Sequence, residues 1–153
     1  MSDEIEIREA RPGDAPVIVD FQIRMARATE DLELDFDTVT RGVAAVFADP
    51  AKGTYRVAEA DGRVIASLLT TFEWSDWRNG TVLWIQSVYV LPEWRRRGIY
   101  RKLYEHLRRE VETSPDLRGL RLYVDQRNTA AQEVYERLGM TKEHYQLYEW
   151  LKG

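Results

Sequence analysis

Residues 81–107 read TVLWIQSVYVLPEWRRRGIYRKLYEHL, and the architecture turns on how this stretch is parsed. Its first part is almost continuously apolar and rich in β-branched and aromatic residues, the pattern of a strand buried on both faces. Pro92 ends that run. Ile99, Leu103, Leu107 and Val111 then recur at helical spacing, so a helix with one apolar stripe covers residues 99–112. Between strand and helix lie Arg95, Arg96, Arg97 and Gly98. Strand, glycine loop and helix in that order open a β-α-β unit whose two strands run parallel. A helix N-terminus presents unpartnered N–H groups at the positive end of its dipole, and arginines beside it suit a phosphate. Taken as an isolated run, the same arginines also read as a solvated basic turn. The loop has neither the P-loop spacing nor the glycines of a dinucleotide fingerprint.

Working outward, EIEIREA alternates with Ile5 and Ile7 on one face and predicts a first strand. A helix follows within residues 11–30, with Asp14 as its cap and Pro16 in its first turn. The acidic connector EDLELDFD leads to a second short helix at 37–50. The rhythm then changes to period two. TYRVAEA, the Asp61-Gly62 turn and RVIASLLTTFEW predict a hairpin. SDWRNG is a second turn before the long strand. After the arginine loop and its helix come a strand at 117–124, a helix at 129–140 and a last strand near HYQLYEWLK, residues 144–152. The order β-α-α-β-β-β-α-β-α-β predicts an α/β (α+β) fold. Its mixed, mostly antiparallel sheet has a central parallel pair and helices on both faces, in a single domain over 1–153.

The composition excludes several chemistries. No cysteine occurs, which removes disulfides, thiolate metal sites and cysteine nucleophiles. The two histidines, His106 and His144, argue against a histidine zinc site or a Ser-His-Asp triad, so no metal is expected. A net charge of −4 supplies no global attraction to nucleic acid. No apolar run approaches the roughly 20 residues of a membrane span. The acidic, alternating N-terminus is unlike a secretory or transit peptide, so a cytoplasmic location is expected.

Two spaced motifs sharpen the reading. Arg95 and Gly98 match the first two fixed places of R/Q-x-x-G-x-G/A. Asn128, Ala131, Tyr135, Gly139 and Met140 match N-x-x-A-x-x-x-Y-x-x-x-G-F/M. Both motifs, with the element order above, resemble the GNAT family of N-acetyltransferases across essentially the whole chain. One place departs: Tyr100 stands where the loop motif has glycine or alanine. Its N–H survives the exchange, but its ring must turn away from a cofactor or pack along its edge.

The resemblance implies acetyl-CoA as donor and CoA as product. Backbone N–H groups through Arg95, Arg96, Arg97, Gly98, Ile99, Tyr100 and Arg101 would hold the pyrophosphate. Pantetheine would insert beside the long strand at Val88 and Val90, with the Val88 N–H as oxyanion donor. Tyr135 would be the general acid for the leaving thiolate, although in isolation a core aromatic is the ordinary reading. Asn128 would touch the pantetheine arm or simply cap its helix, with Ala131 beside it in the motif. Glu73 is the preferred base, or an exposed hairpin charge. Gln86 lies where some relatives carry an acid, and it can orient substrate or water. Glu30 and Glu33 of the acidic connector, with Trp74, would receive a cationic amine, while a solvated connector accounts for the acids too. The leading expectation is transfer to a small amine. A CoA-binding module without turnover and modification of a protein N-terminus or lysine stand as alternatives. A homodimer through residues 144–152 is compatible with the sequence.

Overall fold

The structure, a computed structural model, describes residues 4–153. Its first compact unit runs to Tyr123, and its second comprises Val124–Gly153.

The first unit is built on a five-stranded sheet in the order β1-β2-β3-β4-β5. The strands are β1 (Ile5–Glu9), β2 (Thr54–Ala60), β3 (Arg63–Ser75), β4 (Gly80–Val90) and β5 (Leu117–Leu122). Neighbours pair antiparallel except β4 and β5, which are parallel, as a strand–helix–strand crossover requires. The β2–β3 hairpin closes on Asp61 and Gly62, both in the left-handed region at φ 52° and 74°. That geometry matches the twist of the flanking strands and explains the Asp-Gly dipeptide.

Helices α1 (Ala15–Glu30) and α2 (Phe36–Ala48) precede β2, and α3 (Ile99–Thr113) links β4 to β5. Phe21 of α1 packs on Tyr89, whose strand partner is Ser67. Glu110 of α3 reaches Arg56, whose strand partner is Leu68. Ser67 and Leu68 are consecutive and point to opposite faces, so α1 and α3 cover opposite sides of the sheet. Between them Ile18, Phe21, Val57, Ile65, Leu68, Leu83, Leu103 and Leu107 are buried. The predicted apolar stripe of α3 is present at Ile99, Leu103 and Leu107, with Tyr104 added and Val111 only half-buried. No helix among the described residues is long and apolar enough to cross a membrane.

Asp14 does not cap α1. Its backbone is already helical, and its carboxylate instead accepts from the Arg11 N–H at 2.8 Å and from Arg8. The cap of α2 is Asp35, accepting from the Thr38 N–H at 2.9 Å. The second unit contains α4 (Thr129–Arg137). The strand expected at 144–152 is absent: among the described residues no strand follows α4. Alternating apolar residues permit a strand, but only a hydrogen-bonded neighbour makes one, and the ladder there is missing.

Candidate active site

The functional end of the first unit begins where β4 leaves β5. Their pairing runs from Thr81 with Leu117 to Ile85 with Leu122, and β4 continues to Val90 paired only with β3. Within that free length lies a bulge. Ser67 pairs with Tyr89 and Leu69 with Gln86, so Leu68 faces both Ser87 and Val88. Ser87 takes the extra residue's strain at φ 54°, unusual for a residue with a side chain. Beyond the bulge, the Leu91 N–H bonds the Ile65 carbonyl at 2.9 Å. Backbone groups alternate along a strand, so those of Val90, and of Val88 two residues earlier, face the side from which β5 has departed. Val88 and Val90, just ahead of the arginine–glycine motif, thus lie on a strand edge that β5 leaves uncovered.

The arginine loop follows directly. Arg95 is extended, while Arg96 and Gly98 lie in the left-handed region at φ 63° and 74°. Such reversals turn successive N–H groups inward and favour anions. The first α-helical bond of α3 runs from the Lys102 N–H to the Gly98 carbonyl at 3.1 Å, so the N–H groups of Ile99, Tyr100 and Arg101 precede the helix's own carbonyl ladder. Gly98 meets a backbone demand, and a Cβ there would touch nothing within 4 Å. The loop's surface is therefore open at the point where a phosphate would approach. Arg95 folds back: its Nε donates to the Val90 carbonyl at 2.9 Å, and its guanidinium lies 5.5 Å from the Tyr89 ring centre. Arg97 lies 4.8 Å from the Trp94 ring centre, and Arg101 pairs with Glu105 one turn along α3. Tyr100 is half-buried in the first turn.

A second cluster occupies the α1 face of the sheet, away from that helix. Arg121 on β5 reaches across β4 to form an ion pair with Glu73 on β3, and both side chains remain about two-fifths exposed, at 37% and 40%. Trp84, paired with both Thr71 and Arg121, lies in the next row across the sheet, and its ring stacks on Tyr123 at 4.6 Å. Gln86 donates to the Thr71 hydroxyl at 2.5 Å, one step before the bulge. Glu73 therefore arrives in this row of side chains with its carboxylate engaged by Arg121. Trp74, the adjacent residue, points from the opposite face and is 64% exposed, so it does not share this surface with Gln86. In the α1–α2 connector, Glu33 pairs with Arg27 at 2.6 Å, and that hydrogen bond holds its carboxyl below the ordinary range. Asp35 is committed to capping, and Glu30 is an exposed last residue of α1. Arg121 and Thr71 escaped the sequence reading. The available signal was an arginine inside the otherwise apolar strand LRLYV.

In the second unit, the downstream motif is a helix with both ends specified. Asn128 caps α4, its side-chain oxygen accepting from the Ala131 N–H at 3.1 Å. Gly139 closes it at φ 93°, with the Gly139 N–H bonding Glu136 at 3.0 Å and the Met140 N–H bonding Tyr135 at 3.1 Å. This is the left-handed Schellman closure, which favours glycine. Tyr135 is half-buried, and desolvation pushes its phenol above the ordinary tyrosine value.

A sequence model described as the acetyltransferase (GNAT) family matches residues 19–140. A possible acetyltransferase from Clostridium difficile 630 is 44% identical, with 97% of each chain covered and a TM-score of 0.90. A predicted acetyltransferase from Clostridium acetobutylicum, solved with acetyl-CoA, shares 20% identity over 97% of this chain and 95% of its own, at a TM-score of 0.73. An aminoglycoside N-acetyltransferase in complex with CoA shares 17% identity over 100% of this chain and 98% of its own, at 0.79. At these lower identities the likeness is one of fold. Among curated proteins none matches.

Proposed function

The chain belongs to the acetyltransferase (GNAT) family, and from that premise we propose that it transfers the acetyl group of acetyl-CoA directly to a primary amine. The observation that carries this reading is the free edge of β4 at Val88 and Val90, ending in a loop whose N–H groups open on solvent beside four arginines. A pantetheine arm has amides that suit such an edge, and a diphosphate suits such a loop.

In this proposal the N–H groups from Arg96 to Arg101 hold the diphosphate, with the guanidinium groups adding charge around them, while the Arg95 N–H closes the preceding turn on the Pro92 carbonyl at 3.3 Å. Val88 and Val90 pair with the pantetheine amides. Arg95 vacates the Val90 carbonyl, which its Nε now occupies, and turns toward phosphate. The Val88 N–H stabilises the negative charge that develops on the thioester oxygen as the amine attacks. Tyr135 gives its proton to the departing sulfur. Its raised pKa keeps the phenol protonated through neutral pH, the state an acid must begin in. Asn128 steadies the start of α4 through its cap. Thr71 and Gln86 orient the amine or the water that removes its proton.

Calorimetry with acetyl-CoA, followed by thiol release across a panel of amines, tests the proposal. Saturable binding and amine-stimulated release are expected. Binding without release leaves a coenzyme-binding module, and no binding removes the reading. Tyr135→Phe should lower kcat by about 100-fold with little change in KM. An unaltered kcat would take the acid role from Tyr135.

A further inference from the structure

Val90 is the last residue of β4, and its carbonyl faces the side from which β5 has departed. The Arg95 Nε–H donates to that carbonyl at 2.9 Å, and the guanidinium lies 5.5 Å from the centre of the Tyr89 ring. A strand carbonyl points toward its neighbouring strand, so this donor stands where the N–H of an added strand would stand. An amide arriving on the edge therefore meets a place already taken. The bond is charge-assisted and the cation rests on a ring, so the chain's own side chain holds the end of its own edge.

Only that side chain has to move for the place to clear. The Trp94 N–H bonds the Leu91 carbonyl at 2.9 Å and the Arg95 N–H bonds the Pro92 carbonyl at 3.3 Å, which fixes the backbone on which the side chain turns. The chain then reverses at Arg96 and Gly98, φ 63° and 74°, into the open loop at the start of α3. A diphosphate in that loop offers a guanidinium bidentate, charged acceptors, which a neutral carbonyl and a ring do not match. Bare pantetheine has only neutral amides. It must evict Arg95 with no anion to receive it.

We infer that Arg95 is a donor-selectivity residue: its side chain latches the Val90 carbonyl until a diphosphate draws it away. Pantetheine thioesters then engage the edge only when they carry the diphosphate of CoA. The inference rests on the acetyl-CoA reading of this edge and loop, and it adds a coupling between the two ends of the donor. Bare pantetheine leaves the latch closed. A single terminal phosphate, as in 4′-phosphopantetheine, opens it in part.

Titration of the full chain with pantetheine, 4′-phosphopantetheine and CoA, in the wild type and in Arg95→Met, tests the latch. Arg95→Met should bind pantetheine about fivefold tighter, the net worth of one hydrogen bond that no longer has to be broken. The same variant should bind CoA about tenfold more weakly, having lost a charge-assisted contact to phosphate. These opposite signs distinguish the latch from simpler roles. A residue that only shapes the loop would weaken both ligands, and one that only attracts phosphate would leave pantetheine unmoved. Either result overturns the inference. A second measurement needs no variant: the NMR resonance of the Arg95 Nε–H should shift on adding inorganic pyrophosphate alone. The same resonance unmoved in the CoA complex also overturns it. Failure of CoA to bind the wild type sinks the acetyl-CoA reading and the latch with it. CoA binding with pantetheine affinity unchanged by Arg95→Met sinks the latch alone.

Discussion

On the α3 face of the sheet, Arg56 bonds Glu110 through two nitrogens at 3.0 and 2.6 Å and gives a third to Thr70 at 2.6 Å. On the opposite face, Arg121 meets Glu73. The chemistry is the same and the surroundings are not. The Arg56 side chain is 10% exposed, against 37% for Arg121, and ties a helix to two strands; its partner Glu110, at 35%, reaches solvent and lies 3.4 Å from His106. Arg121 and Glu73 join strands that β4 already holds together, and water reaches both. A buried pair is costly to break because the survivor stays desolvated, whereas an exposed one contributes little to stability. Burial assigns the first pair to holding the fold and leaves the second available to a ligand.

That contrast fails or tightens on four measurements. Glu110→Leu should destabilise the chain by about 3 kcal/mol in denaturant unfolding, since it strands the buried Arg56 guanidinium. Adding Arg56→Met should recover most of the loss, and equal losses in the single and double variants would break the account of α3. Gly98→Val should cost about 1 to 2 kcal/mol, because a β-branched residue replaces glycine at φ 74°. It should also weaken acetyl-CoA binding, and Gly98→Asn should be milder on stability because asparagine tolerates this region. Arg121→Met should move stability by less than about 1 kcal/mol. A larger loss would place this pair with Arg56 and Glu110.

The smallest effect concerns Asp14. Its hydrogen bond from Arg8 holds its carboxyl below the ordinary value. A lowered folded pKa means that the contribution is complete above the unfolded value and is lost as pH falls through the folded one. Asp14→Asn should therefore lower stability by a constant amount at neutral and alkaline pH and flatten the acid limb of the profile, where the wild type loses that contribution.

Much of the architecture could be read from local pattern because each feature has a local cause. Asp61-Gly62 closes its hairpin through backbone conformation. Asn128 and Gly139 mark the two ends of α4 because one can cap and the other can turn left-handed. The strand–loop–helix at 81–107 follows from a change of period. Features that depend on a distant partner were not legible. The alternation at 144–152 predicted a strand where no ladder exists. Asp14 looked like a cap until Arg8 claimed its carboxylate. Glu73 as base and Trp74 beside the acceptor both read as site residues, although consecutive strand residues point to opposite faces.

The sequence by itself determined the strand-loop-helix unit, the arginine and glycine positions at its turn, and both ends of the motif helix. Each depends on conformational preference within a few residues. Tertiary structure alone decided that β4 bulges at Ser87, that Arg95 covers the Val90 carbonyl, and that Arg121 crosses a strand to reach Glu73. Register and cross-strand neighbours are set by how the whole sheet packs, and no window of sequence contains both partners.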